Sequence, residues 1–134
     1  MLEAHQLVGT NRPLVLVVDD DIDIREALSE VLQDAGYRVA AAANGAEAWE
    51  YLNTHPSPAL ILLDLLMPIM TGAELLDRLR ASERLSRVPT IVMTASPQWN
   101  SSAGLRLLTK PMRTELLLDT IKQMATPQTT GDGV

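Results

Sequence analysis

The sequence predicts a three-layer α/β sandwich built on a five-stranded parallel sheet. Short, wholly apolar runs such as "LVLVV" (14–18) and "ALILL" (59–63) read as strands covered on both faces. Helical patterns, with apolar residues at i, i+3, i+4 and i+7, alternate with them, which is the signature of βαβ units. A length of 134 residues suits one domain, and 46% hydrophobic residues can build its core without disulfides.

The elements follow in order. After the first strand, Ile24, Ala27, Leu28, Val31, Leu32 and Ala35 mark one helix face, with Asp21 or Asp23 at its start and Gly36 past its end. "YRVAAA" (37–42) is a weaker strand, because Ala favours helix. Asn44 caps a second helix running to about Leu52, with Ala48, Trp49 and Leu52 on one side. The strand 59–63 runs into the loop "DLLMPIMTG" (64–72), punctuated by Pro68 and Gly72. Leu75, Leu76 and Leu79 mark a third helix. "TIVM" (90–93) and "LRLL" (105–108) are strands, and Leu117, Leu118, Ile121, Met124 and Ala125 mark the last helix.

Only "ASPQWNSSAG" (95–104) separates the last two strands. A crossover needs about 10–12 residues, and Pro97 and Gly104 interrupt this one, so the fourth helix is expected to be shortened or missing. The arrangement is a flavodoxin-like (βα)5 sandwich with sheet order 2-1-3-4-5. Residues 13–125 form the domain, between flexible segments at 1–12 and 126–134.

Composition excludes several functions. Cysteine is absent, which removes thiol nucleophiles, disulfides and Cys-ligated zinc and fits a reducing compartment. A net charge of -6 offers no electrostatic footprint for nucleic acid, so direct binding to it is not expected. The apolar runs are too short to span a bilayer. "MLEAHQLVGTNRP" lacks a long apolar core behind a basic start, so no signal peptide is expected. The expectation is a soluble, cytoplasmic protein with no membrane partner.

In such sheets chemistry sits beyond the carboxyl ends of the strands, where the strand order reverses. Asp19 and Asp20 end the first strand, Asp64 the third, Thr94 the fourth, and Lys110, before Pro111, the fifth. Crowded carboxylates repel one another unless a cation or a shifted pKa compensates. An all-oxygen cluster without His or Cys suits a hard cation, Mg²⁺ above all, which commonly binds one or two carboxylates together with phosphate oxygens. Asp64 is then a candidate nucleophile for a phosphoryl group. Lys110 supplies positive charge to the phosphoryl oxygens, and the Thr94 hydroxyl donates a hydrogen bond if it rotates inward. That rotation would couple bond formation to the end of the fourth strand.

The stretches "LVLVVDDDIDIR", "LILLDLLMPIMTG", "TIVMTA" and "LLTKP" make the chain resemble the receiver domain of two-component response regulators, over about residues 13–125. The resemblance implies phosphorylation of Asp64 by a sensor histidine kinase or phosphotransfer protein. It also implies Mg²⁺ held by Asp19, Asp20, Asp64 and the backbone carbonyl of Leu66, with Thr94 and Lys110 completing the site. A receiver catalyses only its own phosphoryl transfer and dephosphorylation. Few residues follow the last helix, so the expectation is a stand-alone receiver or a piece of a longer regulator, with an unknown output partner.

The chain departs from the family pattern in three places. The 95–104 segment is short where many members carry a helix used for dimerisation or output. Leu107 stands where the family often has a Tyr or Phe. Leu66 lacks the polar side chain that steers attacking water, so slow self-dephosphorylation is expected.

Other residues read as structural. Asp21 and Asp23 suit the helix dipole. His5 and His55 are surface residues, Trp49 packs, and Met67 and Met70 pack in the loop. Trp99 is open between a partner contact and a plug over the sheet edge. Two further functions stay open: a pseudo-receiver that binds proteins without being phosphorylated, and a haloacid-dehalogenase-like phosphatase. "DDDID" offers the latter its D-x-D spacing, but the late acids it needs are the scattered Glu115, Asp119 and Asp132.

Overall fold

The computed structural model describes residues 12–65, 67, 70–94, 106–109 and 113–125. Five strands, β1 (Leu14–Val18), β2 (Arg38–Ala42), β3 (Leu60–Asp64), β4 (Thr90–Thr94) and β5 (Arg106–Thr109), form one sheet in the order β2-β1-β3-β4-β5. Every pairing is parallel. The described helices are α1 (Ile22–Asp34), α2 (Gly45–Thr54), α3 (Gly72–Ala81) and α4 (Thr114–Ala125), with a 3₁₀ turn at Leu85–Arg87. None of them is long and apolar enough to cross a membrane.

Alternation along the strands divides the core into two layers. Leu16, Val18, Ile61, Leu63 and Val92 face Ala48, Leu52, Leu75, Leu76 and Leu79 of α2 and α3. Val15, Val17, Leu60, Leu62, Ile91 and Met93 face Leu28 and Leu32 of α1 and Leu117 and Ile121 of α4. This explains the wholly apolar runs: both faces of β1 and β3 are covered, and each fully buried Val or Leu contributes about 1.5–3 kcal/mol. From β1 the chain moves to one side to make β2. It then moves to the other side to make β3 and β4. Crossovers of one hand therefore place α1 on the face opposite α2 and α3.

Local chemistry sets the helix ends. The Asp21 carboxylate accepts from the amides of Asp23 and Ile24 at 2.9 and 3.3 Å. Gly36, with φ of 102°, releases the chain from α1. Asn44 accepts from the Glu47 amide at 2.8 Å. Thr71 and Glu74 form a reciprocal capping box at the start of α3. The Ala-rich β2 holds its extended form through parallel pairing to β1 from Leu14↔Arg38 to Val18↔Ala42.

Strand limits differ from the sequence expectation by about a residue. β3 includes Asp64, because the ladder to β4 continues through Asp64↔Met93 and the Leu65 amide bonds to the Met93 carbonyl at 3.0 Å. β4 likewise includes Thr94, paired with Thr109. The 95–104 crossover with Trp99, His5, the Leu107 side chain and the 126–134 segment lie outside the described residues.

Candidate functional site

The parallel register brings the predicted carboxylates to one edge of the sheet. Asp19 follows β1 directly and Asp64 ends β3, and both are buried, at 0% and 6% exposure. Asp20 stays exposed. One carboxylate oxygen from each of Asp19, Asp20 and Asp64 lies within 4.8 Å of the other two. Thr94, 1% exposed, ends the neighbouring β4 one residue past the partner of Asp64. Its own partner, Thr109, is the residue before Lys110. Lys110 and Leu66 themselves lie outside the described residues.

Backbone contacts hold the acidic edge in place. The Asp19 amide donates to the Ala42 carbonyl at 3.2 Å, and Asp19 Oδ1 accepts from the Asp21 amide at 2.9 Å. Beyond Asp64, the Leu65 carbonyl accepts from the Gly72 amide at 3.0 Å. A Cβ on Gly72 would sit 2.6 Å from the Asp64 carbonyl oxygen and 2.8 Å from Leu65 Cα. Only glycine therefore lets α3 begin this close to the Asp64 backbone. Met67 is buried and Met70 packs against the same core, which agrees with a packing role for both.

The donor set fits a hard divalent cation. Around an octahedral Mg²⁺ at about 2.1 Å, ligand oxygens stand roughly 3–4 Å apart. Three carboxylate oxygens within 4.8 Å need only a small contraction to reach that geometry. All donors are oxygen, and exposed Asp20 leaves the cluster open to water and to a phosphate-bearing partner. Among the described residues no other group of three His, Cys, Asp or Glu has this spacing. Glu115 and Asp119, the late acids wanted by a dehalogenase-like site, are exposed on α4 and take no part in it.

One residue escaped the sequence reading. Arg25, in the first turn of α1, donates from Nη1 to the Asp19 carbonyl at 2.8 Å. A signal was present: a cation at a helix N-terminus opposes the helix dipole and calls for an acceptor nearby. His55 is exposed and stacks on Tyr51, and Trp49 is half-buried under the Arg78 guanidinium. Neither belongs to the acidic cluster.

The family model described as the response regulator receiver domain matches residues 15–122. Response regulator Rre1 of Synechocystis sp. is 40% identical over 82 residues, covering 60% of this chain and 35% of that protein. The chain spans less than two thirds of the length of the first curated relatives it matches. Among solved structures, chemotaxis protein CheY4 of Vibrio cholerae superposes with a TM-score of 0.75 at 33% identity, covering 84% of this chain and 98% of that one. Response regulator protein TrrA of Thermotoga maritima, solved in complex with Mg(2+)-BeF, gives 0.74 at 29% identity, covering 84% and 98%.

Proposed function

The chain belongs to the response regulator receiver domain family, and from that premise we propose that residues 13–125 act as a phosphorylation-controlled receiver with Asp64 as the acceptor. Receiver domains interact with histidine kinases or phosphotransfer proteins, so the donor is a phosphohistidine on such a partner. The observation that carries the reading is the convergence of Asp19, Asp20 and Asp64 on one sheet edge.

The Asp64 carboxylate oxygen attacks phosphorus, the P–N bond to the donor imidazole breaks, and the electron pair returns to that nitrogen, the ring leaving as neutral imidazole with a proton already on its other nitrogen or taken from water. The product is an aspartyl phosphate. Asp19, Asp20, Asp64 and the Leu66 carbonyl would hold Mg²⁺, which neutralises charge on the phosphoryl oxygens when bound. Burial of Asp64 keeps its carboxylate fixed at the β3 end, while exposed Asp20 leaves the approach open. Lys110 contributes a compact positive charge to the acyl phosphate. Thr94, at the end of a fully buried strand, turns its hydroxyl toward the new oxygens and so moves the β4 end. Working at the acidic edge of a chain with net charge -6, the receiver acts on protein partners and in the cytoplasm.

Incubation with a small acyl phosphate donor and Mg²⁺ tests this. The expected result is a stoichiometric, acid-stable, base-labile label that disappears in Asp64→Asn. Label that persists in Asp64→Asn, or a wild-type chain that binds Mg²⁺ yet takes no label, overturns it.

A further inference from the structure

The edge of the sheet opposite the acidic cluster carries a cavity of about 400 Å³. It is built where strands begin, from Arg12, Pro13 and Leu14 ahead of and in β1, Arg38 at the start of β2, Tyr51 and His55 at the end of α2, and the 56–59 turn into β3. Among the described residues its lining has two guanidiniums, an imidazole, the Tyr51 and Ser57 hydroxyls, and no carboxylate, in a chain whose net charge is -6. The Arg12 side chain is exposed and has no hydrogen-bond or ion-pair partner among the described residues. Arg38 Nε donates to the Arg12 carbonyl at 3.0 Å, which fixes its guanidinium beside Arg12 while leaving the Nη groups free of any described carboxylate.

The guanidiniums and the Ser57 hydroxyl are arranged as donors, and His55 Nε2 donates as well when both ring nitrogens carry protons. The Ser57 hydroxyl oxygen accepts from Arg84 Nη1 at 2.7 Å, so its own proton remains to be given. Arg84 is held there by a second bond, Nη2 to the Leu52 carbonyl at 2.6 Å. His55 stacks on Tyr51 with ring centroids 4.0 Å apart, and its Nδ1 lies 3.1 Å from the Tyr51 carbonyl, which leaves Nε2 unengaged among the described residues. The walls are stiff. Pro13, Pro56 and Pro58 line them. Backbone bonds from Arg38 to Pro13 at 2.9 Å and from Ala59 to Leu14 at 2.8 Å tie them to the sheet. Adjacent guanidiniums without counter-charge repel one another, and a planar fork of N–H donors matches phosphate oxygens.

We propose that this cavity is a second site that binds a small phosphate-bearing anion, held by Arg12, Arg38, Ser57 and His55. The volume admits a diphosphate or a small organic phosphate and excludes a folded partner. The site stands at the far end of the strands from Asp64 and needs no divalent cation, so its ligand does not compete with phosphoryl transfer.

Pyrophosphate titrated into the ¹⁵N-labelled full chain, in EDTA and at constant ionic strength, tests the proposal. The expected result is saturable shifts of the Arg38, Ser57 and Ala59 amides, weakened about tenfold or more in the Arg12→Gln/Arg38→Gln double variant. Phosphodonor labelling of Asp64 should be unchanged in that variant, which separates this site from the receiver reading. Arg12→Gln alone, at an exposed side chain with no partner among the described residues, carries the test if the double variant loses its dispersed spectrum. A parallel titration with ADP assigns bare-phosphate recognition if ADP binds equally, and recognition of an organic portion if it binds more tightly. Absence of saturable shifts, shifts confined to Asp19 and Asp64, or equal affinity in the Arg12→Gln chain overturns the proposal.

Discussion

The Gly45 amide donates to the Met70 carbonyl at 3.2 Å, joining the first turn of α2 to the loop that follows Asp64. Met70 holds a positive φ of 58°, a costly conformation for a side chain of its size. A Cβ on Gly45 would collide with that carbonyl oxygen and lie 2.9 Å from Met70 Cγ. The colliding oxygen belongs to backbone already held in an uncommon conformation, so it cannot swing aside cheaply. Gly45→Ala should therefore destabilise the fold by about 1–3 kcal/mol, read as a lower urea midpoint at unchanged slope. Unchanged stability would mean that the loop is free to move off α2.

Asp20 is the exposed member of the acidic cluster, so its substitution removes charge without opening a cavity. Like charges less than 5 Å apart repel by about 1 kcal/mol even in water, and by more near a protein surface. Asp20→Asn should raise the melting temperature of the metal-free chain while shrinking the rise that Mg²⁺ produces in the wild type. Thermal melts in EDTA and in saturating Mg²⁺ check both signs. A variant whose Mg²⁺-induced rise matches the wild type would remove Asp20 from the metal site.

Most of this site was legible in the chain because topology does the assembling. Parallel strands end on one edge, so Asp19, Asp20, Asp64 and Thr94 converge wherever the apolar runs before them are strands. The β1 and β3 runs are unambiguous, since both faces are covered. The Ala-rich β2 was less readable, because its extended form comes from pairing with β1 rather than from its own residues. For Arg25 the chain showed only a cation misplaced at a helix N-terminus; its partner, the Asp19 carbonyl, depends on a side-chain conformation rather than on spacing. The basic cavity was hidden for a similar reason. Arg12, Arg38 and His55 come from three unrelated segments and meet only where the strands begin.

Burial pushes the Tyr37 phenol above its usual pKa of 10.0. The folded chain then keeps this proton at pH values where the unfolded chain has released it. The unfolded state binds fewer protons, so stability falls as pH rises through about 10. The loss levels off above the folded-state value. Subtracting the pH profile of Tyr37→Phe from that of the wild type should isolate this decline. Coincident profiles between pH 9 and 11 would show that the phenol is as well solvated folded as unfolded.

If Asp64 is phosphorylated as proposed, Leu66 bears on how long the phosphoryl group lasts. An aliphatic side chain two residues past Asp64 can neither accept from nor donate to an attacking water. The aspartyl phosphate should decay slowly, and Leu66→Asn should shorten its lifetime by about an order of magnitude. The time course of phosphate release from the labelled chain, after removal of the donor, measures this directly. A Leu66→Asn chain that decays at the wild-type rate would place control of the lifetime elsewhere.

Arg25 separates two effects that usually act together. Its guanidinium bonds the Asp19 carbonyl at 2.8 Å, and it also brings positive charge near three carboxylates. If charge dominated, removing it would let the acidic cluster attract Mg²⁺ more strongly, and Arg25→Gln would bind the metal more tightly than the wild type. If positioning dominates, both Arg25→Gln and Arg25→Lys lose the bond that fixes the turn between β1 and α1, and both bind more weakly. Positioning is the expected winner, since support behind metal ligands is worth about tenfold or more in affinity. Mg²⁺ titration of the three chains decides it: the two variants should fall on the weak side together, despite their different charge. Tighter binding by Arg25→Gln, with Arg25→Lys at the wild-type value, would reduce Arg25 to a nearby charge.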